Sequence, residues 1–345
     1  MNYLYHNISL RITIADKLQF TVCQSIHIES SVQVLANNAK LELPREFRNA
    51  VDKVGKSINI SGKSILDFIN RGDAIKIELG YDGKLETEFE GYISKIGAEM
   101  PLLLECEDEM FQLKKAPRVT QFIKSGKLID ILKAVMPASY TIECNGDYSI
   151  SKWLIDDANP YEVLEELREK LGIRAYFKNP TVLVVGMIAS KPKTEEEKKT
   201  TEEKLKPHQF DFGKNIRRGS DLKFERKEDH IVEVIVESEQ SNGQKLKYVT
   251  GMKGGNTIKK SMPGLTMSEM IEWAEWSLYS NYFDGFRGGF DSWCYPRTKP
   301  GDAAQLTRPF YKDKHQDGIY FIESVTIDVN GSDGIKRTNK LSYKL

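Results

Sequence analysis

The chain has 345 residues, 40% hydrophobic and 29% charged, an ordinary balance for a globular protein of two to four domains. Lys plus Arg and Asp plus Glu both number 50, so the formal net charge is zero. That argues against a protein held on nucleic acid by bulk charge, while a local charged face stays open.

The opening stretch MNYLYHNISLRITIADK lacks the basic start and apolar run of a secretory signal, so folding in a reducing cytoplasm is expected. No stretch approaches the ~18 apolar residues of a membrane span. Leu10, Ile12 and Ile14 then alternate with polar neighbours, as do Val22, Ile26 and Ile28, Val32 and Val34, and Leu41 and Leu43. Period two over short runs predicts half-buried antiparallel strands. In GDAIKIELGYDGKLETEFEGYI (72–93), Ile75, Ile77 and Leu79 share one face, and Asp82-Gly83 predicts a tight hairpin. On the return strand Leu85, Thr87 and Phe89 fall on one side and Glu86, Glu88 and Glu90 on the other. PLLLECEDEM (101–110) supplies a further strand.

The middle of the chain changes period. Leu128, Ile131, Leu132 and Val135 recur at helical spacing and Pro137 ends the run. In DDANPYEVLEELREKLGI, Asn159 can cap, Pro160 suits the first helical position and Glu162 falls three residues after the cap. Leu164, Leu167 and Leu171 form the stripe and Gly172 ends it. IRAYFKNPTVLVVG predicts a hairpin, and KPKTEEEKKTTEEKLK (191–206) is too charged to bury a core. Strands return with Val232, Val234 and Val236. Thr266 and Glu269 then predict a capping box for a helix over about 266–283. At Gly301 the chain repeats itself: GDAAQLTRPFYKDKHQDGIYFIESVTIDV has the Gly-Asp-Ala opening, a polar turn and a second extended run. Ile319, Phe321, Val325 and Ile327 are expected to share a face of that run.

The predicted plan is mainly β with an α+β insert. Two related antiparallel β-barrel-like domains, 1–117 and 208–345, flank a small α+β domain at 118–190 and a charged linker at 191–207. The echo at Gly301 reads as a duplication.

Motifs for chemistry are scarce. There is no H-E-x-x-H, G-x-S-x-G, P-loop or dinucleotide fingerprint. GMKGG (251–255) and GFRGG (285–289) read as flexible loops. Arg71-Gly72-Asp73 spells an adhesion tripeptide by chance at a strand entry. The five histidines do not cluster. Cys23, Cys106, Cys144 and Cys294 have no ligand spacing, so buried thiols are expected. No catalytic, cofactor or metal residue is assigned, and no enzyme activity is expected. The candidate functional residues are Glu86, Glu88 and Glu90. Like charges along one strand face repel unless solvated or paired. They form either a solvated outer surface or a face toward a water-filled channel or a basic partner.

The order of several phrases resembles the baseplate hub proteins of contractile-tailed phages, the late control D family. Tail proteins of Mu-like prophages and the hub part of type VI secretion spike proteins belong with them. The matching phrases are SILDFINRGDAIKIELGYDG, TEFEGYISKI, PLLLECEDEMFQLKK, WLIDDANPYEVLEELREKLGIRAYF, FDFGKNI, DLKFERKEDHIVEVIVES, GDAAQL and DGIYFIESVTIDV. They run in the family's order from about residue 60 onward. The resemblance implies a structural homotrimer in the virion tail baseplate, made in the bacterial host cytoplasm. Its six related β domains would form a pseudo-sixfold ring between the tail tube and the spike. It implies no cofactor, no specific nucleic-acid binding, although DNA may pass through the ring, and no membrane insertion. The chain stops at Leu345 without a needle repeat, so a separate spike protein is expected. A tail-associated peptidoglycan hydrolase or a receptor-binding adhesin, with YSNYFDGFRGGFDSWCYP (279–296) as its loop, are the alternative readings.

Overall fold

The computed structural model describes residues 7–44, 49–51, 57–59, 65–98, 101–145, 149–186, 205–240, 243–261, 264–308 and 317–345. The predicted linker at 191–207 lies outside them as far as residue 204. The first part of the chain forms β1 (Ile8–Ile14), β2 (Leu18–Phe20), β3 (Ser25–Ser31), β4 (Asn38–Leu43), β5 (Asn49–Val51), β6 (Ser57–Asn59), β7 (Ala74–Tyr81), β8 (Lys84–Ile96) and β9 (Leu102–Glu107). Helix α1 (Met110–Lys115), β10 (Val119–Lys127), α2 (Leu128–Val135), β11 (Thr141–Asn145), β12 (Ser149–Ala158), α3 (Pro160–Leu171), β13 (Arg174–Asn179) and β14 (Val182–Gly186) follow. The last part holds β15 (His208–Asp211), β16 (Leu222–Glu225), β17 (Val232–Glu239), β18 (Lys245–Gly251), β19 (Asn256–Ser261), α4 (Met267–Asn281), β20 (Gly285–Ser292), β21 (Ala303–Thr307), β22 (Gly318–Asn330) and β23 (Gly334–Lys344). The protein is mainly β, with several antiparallel sheets and few helices.

One sheet path joins the two ends of the chain, in the order β16-β20-β23-β22-β3-β4-β9-β8-β7-β1-β2-β5-β6. The seam is the antiparallel β3–β22 pair, running from Ser31 opposite Ser324 to Ile26 opposite Val329. Ile26 and Ile28 face Val329 and Ile327 across it, and all four are buried. Each such side chain contributes on the order of 1.5–3 kcal/mol when fully buried. One core accordingly runs from Ile12, Leu41 and Ile77 through the seam to Phe286, Phe290 and Tyr320.

Two smaller cores sit beside it. The first gathers Ile123, Leu132, Trp153, Leu164 and Leu183 of the insert, and also takes Leu35, Met110 and Leu113 from outside residues 118–190. Its helix α3 starts as predicted: Asn159 accepts from Glu162 N–H, Glu162 accepts from Asn159 N–H, and Gly172 closes the helix at φ +65°. The second lies inside the segment expected to be a single β domain. There β18-β17-β19 form a sheet whose Val232, Val234 and Val236 pack on Met270 and Ala274 of α4. GMKGG is a tight crossover at the start of β17. A Cβ on Gly255 would lie 1.8 Å from Ile231 O, and one on Gly251 2.2 Å from Val232 O. GFRGG falls in strand β20 rather than in a loop, and the neighbouring Phe286 and Phe290 point into the main core. The four cysteines are free thiols; Cys106 and Cys294 are buried, Cys23 and Cys144 half-buried.

The echo at Gly301 is a structural repeat at one constant offset in residue number. Gly72 N–H donates to Ile93 O (2.8 Å), Ile93 N–H to Asp73 O (3.0 Å) and Asp73 N–H to Asn70 O (3.2 Å). Gly301 N–H donates to Ile322 O (2.9 Å), Ile322 N–H to Asp302 O (2.9 Å) and Asp302 N–H to Lys299 O (3.1 Å). In both copies the aspartate carboxylate accepts the backbone N–H three residues back, Asn70 at 2.8 Å and Lys299 at 2.7 Å. The Gly φ is +94° in one copy and +96° in the other. The Arg71-Gly72-Asp73 tripeptide is thus spent on a turn. Strand register repeats too: Ala74 opposes Tyr92 as Ala303 opposes Phe321, and Ile77 opposes Phe89 as Leu306 opposes Gly318. A register shift falls between Ile93 and Lys95 on β8 and at the equivalent Ile322 and Ser324 on β22. That extra residue reverses the alternation on β22. Ile319 and Phe321 therefore lie on the opposite face from Val325 and Ile327, not on the shared face expected.

Gly301 has open space around its Cα, so Gly301→Ala tests backbone conformation alone and is expected to cost about 1–2 kcal/mol. Asp73→Ala and Asp302→Ala should cost about 1 kcal/mol each, because they remove equivalent bonds. Urea midpoints check both, and a marked difference between the two aspartates would mean the turns are not energetically equivalent.

Candidate functional site

The acidic strand β8 is built on a β-bulge. Ile77 opposes Phe89 and the next residue of β7, Glu78, opposes Thr87, so Glu88 is the extra residue on its strand. An extra residue turns the side chains beyond it to the other face. Glu86 and Glu90 have side chains 47% and 41% exposed, whereas that of Glu88 is 3% exposed. The three glutamates therefore do not share one face, and Glu88 is removed from any solvent-facing row.

Glu88 reaches the far part of the chain. Its Oε1 lies 2.7 Å from the Arg337 guanidinium on β23 and 3.2 Å from Nε of Arg297, which precedes the Lys299–Asp302 turn. Arg337 is itself 1% exposed in its side chain. It donates to Thr298 O (2.8 Å), Thr298 Oγ1 donates to Asn339 Oδ1 (2.5 Å), and Asn339 Nδ2 donates to Ser292 Oγ (3.1 Å). Among the described residues Arg337 Nε has no hydrogen-bond partner. The result is a buried polar cluster linking β8 to β20 and β23.

The exposed glutamates are matched as well. Glu86 lies 3.0 Å from Arg297 and Glu90 3.4 Å from Lys76. On β7, Glu78 takes a bidentate pair from Arg11 at 2.5 and 2.8 Å. The Arg11 hydrogen bond holds Glu78 below the usual carboxylate range, against the opposing pull of burial. Cations from the neighbouring strands, Lys76 and Arg11, and from the Arg297 loop thus offset the repulsion that the acidic run implies.

Sequence reading missed Arg297 and Arg337. A signal for Arg337 was present: Ile335, Arg337, Asn339, Leu341 and Tyr343 alternate along β23 and all are buried. Two polar residues in the buried phase of a strand require partners in the core.

The seam carries a second charged group. His27 Nδ1 lies 2.6 Å from Asp328 Oδ1 across the β3–β22 pair, and His27 Nε2 lies 3.0 Å from Glu29. Desolvation lowers the His27 pKa, but the bonds to Asp328 and Glu29 outweigh it and hold the group above its ordinary value. Among the described residues no cluster of three or more His, Cys, Asp or Glu could hold a metal ion. Among them, too, no helix is long and apolar enough to cross a membrane.

No protein-family model matches the chain, and no curated protein matches its sequence. Solved structures do match it along nearly its whole length. A tail protein from Neisseria meningitidis MC58 superposes with TM-score 0.64 at 14% identity, over 98% of this chain and 97% of that one. The 43 kDa tail protein of prophage MuSo2 from Shewanella oneidensis gives TM-score 0.60 at 13% identity, over 98% of both chains. An Escherichia coli component of the type VI secretion system, similar in structure to bacteriophage T4 tail proteins gp27 and gp5, gives 0.53 at 8% identity. It is covered over 77% of its length, against 98% of this chain. The fold is that of phage tail proteins. At such identities the likeness is one of fold alone, and it carries no side-chain role to the Glu88–Arg337 cluster.

Breaking one side of a buried ion pair leaves an uncompensated charge. Glu88→Ala should therefore destabilise the protein by about 3–5 kcal/mol. Glu86→Ala and Glu90→Ala should stay under about 1 kcal/mol. Denaturant melts of the three variants decide this, and a mild Glu88→Ala would show the cluster to be solvated. Since the folded His27 is held above the unfolded histidine value of about 6.5, its contribution is complete below that pH. It is lost as pH rises through the folded value. The stability difference between the native protein and His27→Gln should thus shrink on going from pH 6 upward, measured as paired urea midpoints.

Proposed function

We propose that this protein is a structural hub of a contractile tail or a related injection machine. It assembles as a homotrimer in the tail baseplate, made in the host cytoplasm, and joins the tail tube to a separate spike protein. The observation that carries this reading is the repeated strand pair. Two halves with the same turn, register and bulge give three chains six related β frames. A closed trimer of single-frame chains offers only three equivalent surfaces, so internal duplication is a direct route from threefold to pseudo-sixfold symmetry. The tail-protein fold of the structural neighbours supports the same setting.

The bulge sets Glu86 and Glu90 on opposite faces of the sheet, so in this ring only one of them can face the central channel, and Glu88 serves the junction between halves. Carboxylates along a channel wall repel phosphates and keep passing DNA from sticking. The role is mechanical and electrostatic, with no catalytic step.

Solution mass combined with particle images tests the proposal. The expected result is a species of three times the chain's mass whose images show a ring with threefold symmetry and six similar lobes. A protein that stays monomeric at high concentration, alone and with its spike, would overturn it.

A further inference from the structure

The two-stranded ribbon β10–β12 packs one side on the insert and leaves the other open. Ile123, Trp153 and Ile155 point into the core of the insert. On the open side Phe122 and Leu154 are direct register partners, 63% and 53% exposed. Facing residues on one side of an antiparallel pair touch, so these two form one apolar patch. One row along, between the Ile123–Trp153 and Ser125–Ser151 pairs, Lys124 stands opposite Lys152. One row along in the other direction stand Thr120 and Asp156, within the register shift between Val119 and Gln121. All four are exposed. Lys124, Lys152 and Asp156 make no ion pair among the described residues. Among those residues, too, no further strand pairs with the ribbon.

The backbone closes this open face at both ends. Beyond the lysines the ribbon turns over: Ile150 is buried in the insert core, and a Cβ on Gly126 would meet Ile131 and Ile123. Lys152 takes φ +54° at that point, and Asp157 takes φ +42° at the other end. Left-handed backbone is costly for residues with a side chain and persists where the surroundings impose it. Between these two points lies a short face of three rows, with a carboxylate at one end, an apolar pair in the middle and two cations at the other end. Like charges placed opposite each other destabilise a strand pair, and an exposed apolar pair gains by burial. In a free chain this face is a local conflict.

The order of the charges fits the face to a second copy of itself. Alternate residues on a strand lie about 7 Å apart, so Asp156 and Lys152 stand equally far on either side of Leu154. A second face can be laid on the first by half a turn about an axis that crosses the strands at the Phe122–Leu154 row. Phe122 and Leu154 then meet their own counterparts, each Asp156 comes over Lys152 of the other copy, and Lys124 comes over Thr120. Half a turn about an axis along the strands would instead set lysines on lysines, so the charges select one stacking. We infer that the open face of the β10–β12 ribbon is a twofold contact between two copies of this chain. Three rows fall far short of the roughly 20–30 residues a side of a standard interface, so a single contact is weak and shows at high chain concentration. The contact does not depend on the homotrimer proposed above. Applied to that trimer, it joins two of them face to face in dihedral symmetry.

Charge reversal in the full-length chain tests it. Asp156→Lys should weaken the pairing at least about tenfold, as should Lys124→Glu with Lys152→Glu, because each sets like charges across the contact. An equal mixture of the two variants should pair to within a few-fold of the native protein, since each supplies the charges the other lacks. Dissociation constants from sedimentation velocity provide the readout, and unchanged circular dichroism spectra show that the variants fold. Leu154→Cys lies at the axis and should cross-link to its own counterpart under mild oxidation, whereas Thr120→Cys, away from the axis, should not. A native protein that never pairs at high concentration, or whose pairing ignores both reversals, would overturn the contact and leave the hub proposal standing. Two weakened reversals with no recovery in the mixture would give the face to a different surface and overturn the twofold contact. A native protein that forms dimers and no trimer, alone and with its spike, would support this contact and overturn the hub.

Discussion

Arg337 sets the terms for how the two parts of this chain fit together. A guanidinium stays charged at any physiological pH, and one that is 1% exposed in its side chain requires a carboxylate and carbonyl acceptors in the core. Glu88 and Thr298 O supply them. Such a pair contributes little net stability, because desolvation of both charges offsets much of their attraction. Its effect lies in selection among arrangements. The apolar β3–β22 seam would tolerate many pairs of similar volume, whereas a buried charge tolerates one register. A slip of one residue on β8 or β23 would leave two charges unpaired in the interior. The bulge at Glu88 therefore does more than relieve local geometry, since it aims a carboxylate across the junction that an unbroken strand would point at solvent.

The legible parts of the sequence were those in which local chemistry determines local structure. The Asn159–Glu162 and Thr266–Glu269 capping boxes form as predicted, because each satisfies backbone donors within one turn of helix. The Asp82-Gly83 hairpin holds for a similar reason, with both residues at positive φ. Period-two alternation located most strands but failed wherever a bulge inserted a residue. Glu88 and the Ile319–Ile327 row were misplaced by that one cause. Nothing in ETEFEG or FIESVT marks the inserted residue, because a bulge is dictated by the partner strand. The candidate site suffered more than the fold. Its cations, Arg297 and Arg337, lie more than two hundred residues from Glu88, and only the polar residues in the buried phase of β23 hinted at a partner. The α4 unit inside the second half was likewise hidden: its helix was predicted, but not that β17, β18 and β19 would pair with one another and leave the main sheet.

The repeat keeps its backbone and varies its surface. Gly72, Asp73 and Ile93 recur as Gly301, Asp302 and Ile322, residues that make the turn or start the return strand. Outward positions diverge. Lys76 opposes Glu90 as an ion pair in the first copy, while the equivalent register position pairs Gln305 with Ile319 in the second. The flanking strand differs too, since β1 runs antiparallel to β7 and β15 runs parallel to β21. This division is the one a pseudo-sixfold ring requires. A partner with true sixfold symmetry needs the same frame presented at every position, which the preserved turns and bulges supply. Within a trimer, however, each frame has a different neighbour on either side: one joined in the same chain, the other across a contact between chains. The surface that meets these neighbours is free to diverge, and here it has. Buried cations, Arg337 above all, tie one half to the other inside the chain through Glu88.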